Sequence, residues 1–388
     1  MGRSPTPRLV VVGASFAGLT LARTVRRHVR DVEIVLLERA PFFAFAPAQI
    51  RYLFGLVPLQ AVKRDYASLR RGDLTVLREE VSAVDRDRRR VVTPTGTIEY
   101  DYLALASGIR LASEEVPGLA ERPGVNLCPY EGAAMLTELR RRIAGFQAGH
   151  VVIATPNGPY KCQPAPYEYA LAWAAHITRR RLKARVTLVD PRSRPAPSAL
   201  SVGFMEAMEA HERVLTYEPF SQVRAVDVGA STLDTEAGRL SFDILSVIPP
   251  NTTMPFVTEA GLGAPFVDVD LRTFRSTRDP RIYAVGDTAD TPYAKTGYTA
   301  MDEGRIAGEC IAQDLGIKRP SPGMPANVCY PMIDANRAFR IDTRWTWEES
   351  GPDPGVKIHG TTDDQAKTSH ARLRRAWETR TLATLFPS

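Results

Sequence analysis

The sequence predicts an α/β fold with two parallel-sheet units and a small α+β unit at the C-terminus. Two short apolar runs, residues 9–12 and 151–154, each open a strand–turn–helix–strand pattern that is typical of parallel sheets. Two later buried strands, within residues 99–108 and 281–287, add to the first unit. The chain has 388 residues, which is too many for one ordinary core, so two or three domains are expected.

The first unit carries a dinucleotide-binding turn. After the strand at residues 9–12 the chain follows the G-x-G-x-x-G pattern, with Ser15 in place of the middle glycine. The helix after the turn offers free N–H groups at its N-terminus, which favour a pyrophosphate. A second strand, residues 32–37, ends at Glu38, where a ribose-binding carboxylate belongs. The residues predicted to bind the dinucleotide here are Gly13, Ser15, Phe16, Ala17, Gly18, Glu38 and Arg39.

Two further motifs indicate which dinucleotide binds. The strand within residues 99–108 ends in small residues, and the strand within residues 281–287 ends in Gly-Asp. Both resemble motifs of flavoproteins with two Rossmann-like dinucleotide-binding domains, the glutathione-reductase-like group. The resemblance implies FAD as the cofactor, bound by Ser107, Gly108, Gly286 and Asp287. Lys295, Thr296 and Gly297 follow the Gly-Asp motif at a helix start, where a lysine beside the flavin would stabilise negative charge on its reduced form. The alternative is an ordinary helix N-terminus with a surface lysine.

The second unit lacks such a turn. Its strand at residues 151–154 is followed by TPNGPY, in which Pro156 and Pro159 obstruct the approach of backbone N–H groups to a phosphate. We therefore expect no NAD(P)H binding, although the partner acid, Asp190, is still there. Cys162 comes two residues after the turn, just before a helix predicted over residues 167–182. Electrons must then reach FAD from another donor.

The segment at residues 158–168, GPYKCQPAPYE, is similar to the flavoprotein subunit of flavocytochrome c sulfide dehydrogenase and, more loosely, to sulfide:quinone oxidoreductase. The similarity continues at residues 327–330, NVCY, and covers nearly the whole chain. In these families the two matching cysteines, here Cys162 and Cys329, form a redox-active disulfide beside the flavin. The resemblance implies that sulfide attacks this bridge and that thiol–disulfide exchange leads to reduction of FAD.

Four other residues enter this prediction through their positions. Glu168, one turn into the helix after Cys162, is a candidate proton acceptor from sulfide or, alternatively, a carboxylate that balances the helix dipole. Lys161 and the helix start are expected to lower the pKa of the Cys162 thiol, which would favour the reaction. Cys128 lies where the quinone-linked enzymes carry a third cysteine that handles sulfur or joins the flavin. Cys310 lies in the middle of a predicted helix and is expected to be a packed core residue. The four cysteines form no CxxC pair, so no metal site is predicted.

The electron acceptor stays open between a c-type cytochrome subunit and a quinone. Residues 41–48 hold no cysteine for the covalent FAD link of the cytochrome-linked family, and they look more like the quinone-linked family. Residues 370–386, however, have few apolar side chains for membrane insertion. The C-terminal region resembles the interface domain of the cytochrome-linked flavoprotein. Peripheral membrane contact and homo-oligomer formation are left open.

The predicted function is an FAD-dependent sulfide dehydrogenase that forms polysulfide or sulfur. Two alternatives remain, an NADH:quinone dehydrogenase of the same fold and a non-catalytic flavin redox sensor. No nucleic acid partner is expected, because the small excess of 50 Lys and Arg over 44 Asp and Glu comes without a recognised binding motif. The sequence as written shows no export signal, so a cytoplasmic or peripheral membrane location is expected, or a periplasmic one if a signal has been removed.

The predicted domain boundaries follow from these motifs. Residues 1–112 and 256–325 form the FAD-binding domain, and residues 113–255 form the second Rossmann-like domain without a nicotinamide-nucleotide fingerprint. Residues 326–388 form the C-terminal interface domain.

Overall fold

The fold is organised around two parallel sheets and a C-terminal antiparallel sheet. The structure is a computed structural model that describes residues 6–71, 74–318, 321–350 and 355–387. The helices are α1 (Phe16–His28), α2 (Ala46–Leu53), α3 (Leu136–Gly145), α4 (Ala165–Arg180), α5 (Ser201–Glu209), α6 (Pro255–Glu259), α7 (Gly297–Asp314) and α8 (Thr368–Leu385). The strands before α3 are β1 (Arg8–Val12), β2 (Glu33–Leu37), β3 (Phe43–Ala44), β4 (Lys63–Arg64), β5 (Thr75–Leu77), β6 (Ala83–Asp85), β7 (Arg90–Thr93), β8 (Gly96–Glu99), β9 (Tyr102–Leu105) and β10 (Arg110–Leu111). The later strands are β11 (Ala148–Ala154), β12 (Lys183–Val189), β13 (Leu215–Glu218), β14 (Val223–Asp227), β15 (Thr232–Thr235), β16 (Gly238–Ser241), β17 (Ile244–Val247), β18 (Asn251–Thr252), β19 (Val267–Asp268), β20 (Ile282–Ala284), β21 (Ala289–Asp290), β22 (Ala326–Cys329), β23 (Ala338–Glu348) and β24 (Gly355–Lys367).

The first sheet has five parallel strands in the order β20-β9-β1-β2-β5. The central strand β1 is paired on both sides, so that Val10 lies between Val35 and Leu103. A strand that is covered on both faces must be apolar along its whole length, which explains the uninterrupted run at residues 9–12. Strand β20 brings the Gly-Asp motif from the far end of the chain to the same sheet edge as the dinucleotide turn.

Helices α1 and α7 pack closely against each other beside this sheet. The contact depends on glycine, because a Cβ atom on Gly304 would collide with the backbone carbonyl of Ala17. A Cβ atom on Gly308, one turn later, would lie 2.9 Å from the carbonyl oxygen of Leu21 and 2.9 Å from the Cβ atom of Thr24. Helix α7 is thereby fixed to the helix that follows the predicted dinucleotide turn.

The second sheet has four parallel strands in the order β13-β12-β11-β17. Strand β11 pairs on both sides, and helix α4 follows it in the way that α1 follows β1. Helix α4 buries Tyr167 and Trp173 completely. The predicted α/β class with two parallel-sheet units is confirmed.

The C-terminal unit is an antiparallel sheet, β22-β23-β24, followed by α8. Helix α8 packs back on the protein, since Arg374 and Glu378 are both 7% exposed and Phe386 contacts Phe43 at a ring-centroid distance of 5.0 Å. The basic run at residues 372–375 is therefore divided between a buried and an exposed face. Among the described helices, none is both long enough and apolar enough to span a bilayer.

Candidate active site

A cavity of about 390 Å³ lies where the carboxyl ends of strands from both parallel sheets come together. Residues that directly follow β9 and β20 line it from one side, and Ile248, after β17, lines it from the other. This edge of a doubly wound sheet is where such folds bind their ligands. The predicted cofactor residues that line the cavity are Ser15, Phe16, Ala17, Glu38, Gly108, Gly286, Asp287, Lys295, Thr296 and Gly297.

Four predicted cofactor residues do not line the cavity. Gly13 has a φ of +99°, and a Cβ atom there would collide with the backbone that follows β9. A Cβ atom on Gly18 would collide with the carbonyl oxygen of Gly13, so both glycines shape the turn. The Ser107 hydroxyl lies 3.5 Å from the Thr288 hydroxyl. Arg39 is exposed and forms an ion pair with Glu80 at 3.0 Å, and its assignment to the cofactor stays a prediction.

The dinucleotide end of the cavity combines a carboxylate with a helix start. Glu38 accepts hydrogen bonds from the backbone N–H groups of Ala14 and Ala40, both at 2.8 Å. Each carboxylate oxygen keeps a further lone pair for a ribose hydroxyl. Ser15 is the N-cap residue of α1, but its side chain caps no N–H group. No acidic residue lies in the first turn of α1, so the N–H groups at this helix start are left for a pyrophosphate.

The opposite end is built from Lys295 and the start of α7. The Lys295 ammonium donates to the backbone carbonyls of Asp287 at 3.1 Å and Ala289 at 2.8 Å, and burial lowers its pKa. A Cβ atom on Gly297 would press on the ring of Phe16 at 3.1 Å, so glycine keeps this part of the cavity open. The donor set and the space at both ends fit FAD.

Cys162 sits in a turn that is held from two sides. Its backbone is in the left-handed region, with a φ of +51°, which costs a non-glycine residue about 1–3 kcal/mol. The N–H group of Cys162 donates to the carbonyl of Lys295 at 2.9 Å. Its carbonyl accepts from the Tyr130 hydroxyl at 2.8 Å and from the N–H group of Ala165 at 3.0 Å. The strained turn is thus tied to the segment that forms the flavin end of the site.

Cys329 reaches the same cavity from a distant part of the chain. It ends β22, and the neighbouring Asn327 accepts a hydrogen bond from the Thr296 hydroxyl at 2.7 Å, which joins β22 to the start of α7. Cys162 and Cys329 both line the cavity and are free thiols in this structure. The charge of Cys329 is the largest cause after burial that raises the pKa of Cys162.

The expected lowering of the Cys162 thiol pKa was wrong. Burial raises the pKa of the Cys162 thiol, and it raises the pKa of Cys329 to about 12. Lys161 does not offset this, because its ammonium donates to the Tyr130 carbonyl at 3.3 Å and lies 5.7 Å from the centre of the Tyr130 ring. The cation that lowers the pKa of both thiols is Arg374.

Glu168 forms a buried ion pair with Arg374, with an N–O distance of 2.8 Å. Its carboxylate also accepts a hydrogen bond from the backbone N–H group of Met332. Arg374 donates in turn to the carbonyl of Tyr330 at 2.9 Å. Glu168 is therefore bound to the segment that follows Cys329, and its role as a proton acceptor stays a prediction.

The other two cysteines lie outside the cavity lining. Cys128 is fully buried, and burial raises its pKa to about 12. Its chain neighbours Pro129 and Tyr130 line the cavity, whereas Cys128 does not. Cys310 is 3% exposed within α7, in the packed position that the sequence predicts. A role for Cys128 in sulfur handling or FAD attachment remains a prediction.

The acid of the second unit is occupied within the protein. Asp190 is fully buried and forms an ion pair with Arg192 at 3.1 Å. Its carboxylate also accepts from three hydroxyl groups, those of Thr155, Tyr167 and Tyr217. Arg192 donates further to the carbonyl of Gly158 at 2.9 Å, which ties the proline-containing turn to the acid. These contacts occupy the Asp190 carboxylate, which would otherwise bind a ribose, and the turn at Gly158, which would otherwise bind a phosphate.

Three residues of the site were missed by the sequence reasoning. Arg374 and Trp377 received no role in the sequence analysis, yet both line the cavity. Trp377 stacks on Tyr298 with a ring-centroid distance of 6.4 Å. The available signal was the spacing of Arg374, Trp377 and Glu378, which places them on one face of a helix. Tyr130 carried no comparable signal, because its partner is a backbone carbonyl.

Comparison with known proteins agrees with this geometry. Residues 7–154 match the family described as pyridine nucleotide-disulphide oxidoreductase, and residues 129–249 match the one described as sulfide dehydrogenase (flavocytochrome c) flavoprotein chain, central. The mitochondrial sulfide:quinone oxidoreductase of Schizosaccharomyces pombe is 25% identical over 327 residues, covering 76% of this chain and 71% of that protein. The mitochondrial sulfide:quinone oxidoreductase of Mus musculus is 22% identical over 357 residues, covering 87% of this chain and 78% of that protein.

Solved structures share the fold. The sulfide:quinone oxidoreductase from Aquifex aeolicus superposes with a TM-score of 0.77 at 20% identity, covering 98% of this chain and 91% of that one. The fold, the cavity and the family matches define an FAD-dependent oxidoreductase. More particularly, the chain is similar to the sulfide:quinone oxidoreductases and to the flavocytochrome c flavoproteins.

Proposed function

We propose that this protein oxidises sulfide at a disulfide formed by Cys162 and Cys329 and passes the electrons through FAD to a quinone. The observation that carries the proposal is the cavity, which is lined by both cysteines together with the residues that fit FAD. Several relatives are named sulfide:quinone oxidoreductase, which supports sulfide as the substrate and a quinone as the acceptor.

The sulfur chemistry balances as a thiol–disulfide exchange. The anion HS⁻ attacks one sulfur of the Cys162–Cys329 bridge, so that a new sulfur–sulfur bond forms while the bridge breaks. One cysteine becomes a persulfide and the other leaves as a thiolate, and the single negative charge is conserved. FAD, when bound in this cavity, supplies the two-electron acceptor that makes the oxidation of sulfide complete.

The residues around the cysteines determine what happens to charge and protons. Burial raises the pKa of both thiols, so a thiolate formed here is a strong base unless a cation faces it. Arg374 supplies that cation, and Glu168 is the carboxylate that acts on both thiols. We assign Glu168 as the acceptor of the persulfide proton, since it is a carboxylate that lines the cavity together with both cysteines.

The acceptor is inferred from the aromatic part of the cavity. The aromatic side chains that line it in addition to Phe16 and Tyr130 are Phe42, Phe43, Tyr66, Tyr169, Tyr298, Tyr330 and Trp377. Flat apolar walls suit a quinone ring better than they suit a protein surface. A c-type cytochrome is the second candidate, favoured by the match of residues 129–249 to a flavocytochrome c flavoprotein. Reoxidation of the sulfide-reduced protein by decylubiquinone, compared with reoxidation by cytochrome c, separates the two.

NADH is not the proposed donor. In the second unit Arg192 and three hydroxyl groups occupy Asp190, and Arg192 also binds the turn at Gly158. An NADH dehydrogenase of this fold would need that acid and that turn for the nucleotide. The proposal therefore requires that anaerobic NADH leaves the flavin absorbance unchanged.

The test follows the flavin absorbance after anaerobic addition of sulfide. Wild-type protein is expected to bleach, and Cys162→Ser and Cys329→Ser are expected to slow bleaching by more than about 100-fold, because each removes the covalent route. Cys310→Ala is the matched control, since this thiol is buried away from the cavity. Bleaching at the wild-type rate in either serine variant, with normal FAD content, would contradict the disulfide mechanism.

A further inference from the structure

Four charged side chains form a buried chain that ends beside the two cysteines. Arg51 on α2 pairs with Glu378, and Glu378 pairs with Arg374 at 3.1 Å, both on α8. Arg374 pairs with Glu168 on the first turn of α4 at 2.8 Å. All four side chains belong to residues that are at most 9% exposed. Two positive and two negative charges at this depth are tolerable only because each is paired.

This chain holds the backbone next to Cys329. Arg374 donates to the carbonyl of Tyr330 at 2.9 Å, and Glu168 accepts from the N–H group of Met332. The two partners of one ion pair thus bind a carbonyl and an N–H group within three residues of the cysteine. Arg374 also donates to the carbonyl of Pro47, so one guanidinium joins α2, α4, α8 and the segment after β22. A planar guanidinium with five N–H donors suits this task, whereas an ammonium does not.

The same pair acts on the sulfur atoms in opposite directions. Glu168 raises the pKa of both thiols, and Arg374 lowers the pKa of both. The four-residue chain is neutral as a whole, so it neither attracts nor repels an anion at long range. Opening the bridge adds one negative charge beside it, and the cation of the chain that acts on both sulfur atoms is Arg374.

We propose that Arg374 is a positioning residue that orients the Cys329 segment and supplies the positive charge facing the thiolate released when the bridge opens. The inference rests on the proposed function, since it assumes that Cys162 and Cys329 form that bridge. When HS⁻ adds to the bridge, the negative charge moves from the incoming sulfur to the leaving sulfur. Arg374 then shares its charge between Glu168 and the new thiolate, and no other cation has to enter the cavity.

The experiment measures the ionisation of Cys329 without using sulfide. Holoenzyme is reduced with dithiothreitol, freed of it, and alkylated with iodoacetamide over a range of pH, and the Cys329 peptide is quantified by mass spectrometry. The rates are compared at fixed pH below the midpoint, where Arg374→Gln should slow alkylation of Cys329 about tenfold, the equivalent of a midpoint higher by about one unit. Glu168→Gln should speed alkylation. Arg374→Lys should stay close to the wild-type rate, because it keeps the charge.

Arg375→Gln is the matched control, because Arg375 is the next residue on α8 and is exposed. It should leave the alkylation rate unchanged. An unchanged rate in Arg374→Gln, or an equal slowing in Arg375→Gln, would overturn the proposal. If Arg374→Gln loses FAD or fails to fold, Glu168→Gln decides alone, and an alkylation rate that stays the same or falls in that variant overturns it. Failure of the sulfide mechanism would appear separately, as rapid bleaching of Cys162→Ser.

Discussion

Acid should weaken this protein through His176, a buried histidine in the middle of α4. His176 is 6% exposed, and neither of its ring nitrogens has a hydrogen-bond partner within the described residues. It packs against Trp173 with a ring-centroid distance of 5.9 Å and against Phe54 at 5.5 Å. Burial, followed by the charge of Arg180, lowers the pKa of His176 from 6.5 to about 4.

The sign and size of the effect follow from these two pKa values. A histidine whose pKa is lower in the folded state stabilises the fold above pH 6.5, and this contribution is lost as the pH falls toward 4. Between neutral pH and pH 5 the loss amounts to about 2 kcal/mol, since the unfolded chain binds nearly one more proton over most of this interval. Because His176 shares α4 with Glu168, acid should loosen the helix on which the cysteine turn depends.

The assay is urea unfolding at pH 7.5 and at pH 5, followed by far-UV circular dichroism. His176→Phe keeps an aromatic ring in the cluster but cannot be protonated, so it should be less sensitive to acid by about 2 kcal/mol. Burial also lowers the pKa of His150. This residue is present in both proteins, so its effect cancels in the comparison. If wild type and His176→Phe lose the same free energy of unfolding between the two pH values, the reasoning is refuted.

Three further predictions follow from particular contacts. Gly304→Val should separate α1 from α7, because its Cβ would collide with the Ala17 carbonyl; the protein should lose more than about 3 kcal/mol of stability and purify with little FAD, as shown by the flavin-to-protein absorbance ratio. Tyr130→Phe removes the hydroxyl that donates to the Cys162 carbonyl, so bleaching by sulfide should slow while FAD content stays the same, at a stability loss of about 1 kcal/mol. Trp377→Ala should raise the KM for decylubiquinone about 2- to 10-fold and leave the rate of bleaching by sulfide unchanged, because it removes an aromatic wall of the cavity and no sulfur or charged group. A changed bleaching rate with an unchanged KM would place the quinone elsewhere.

The residue pattern was sufficient to predict those parts of the fold that depend on neighbours in sequence. The turn at Gly13 and Gly18 was predicted because only glycine fits where a Cβ would meet the backbone, and the structure shows both collisions. Helix α4 was predicted after a proline-containing turn, and it begins at Ala165, two residues before the predicted start. The sequence could not decide the role of Arg39, because its position beside Glu38 says nothing about where a long side chain points; in the structure it pairs with Glu80.

By itself the sequence determined that a dinucleotide turn lies near the start of the chain, that the second unit lacks the glycine-rich turn, and that a cysteine follows the altered turn. These features are local, since they depend on which side chains the backbone tolerates at a strand end. Only the tertiary structure decided that Cys329 shares a cavity with Cys162, and that Arg374 reaches Glu168 across 206 residues. It also reversed the expected direction of the thiol pKa, because the pKa depends on burial and on charges brought together by folding.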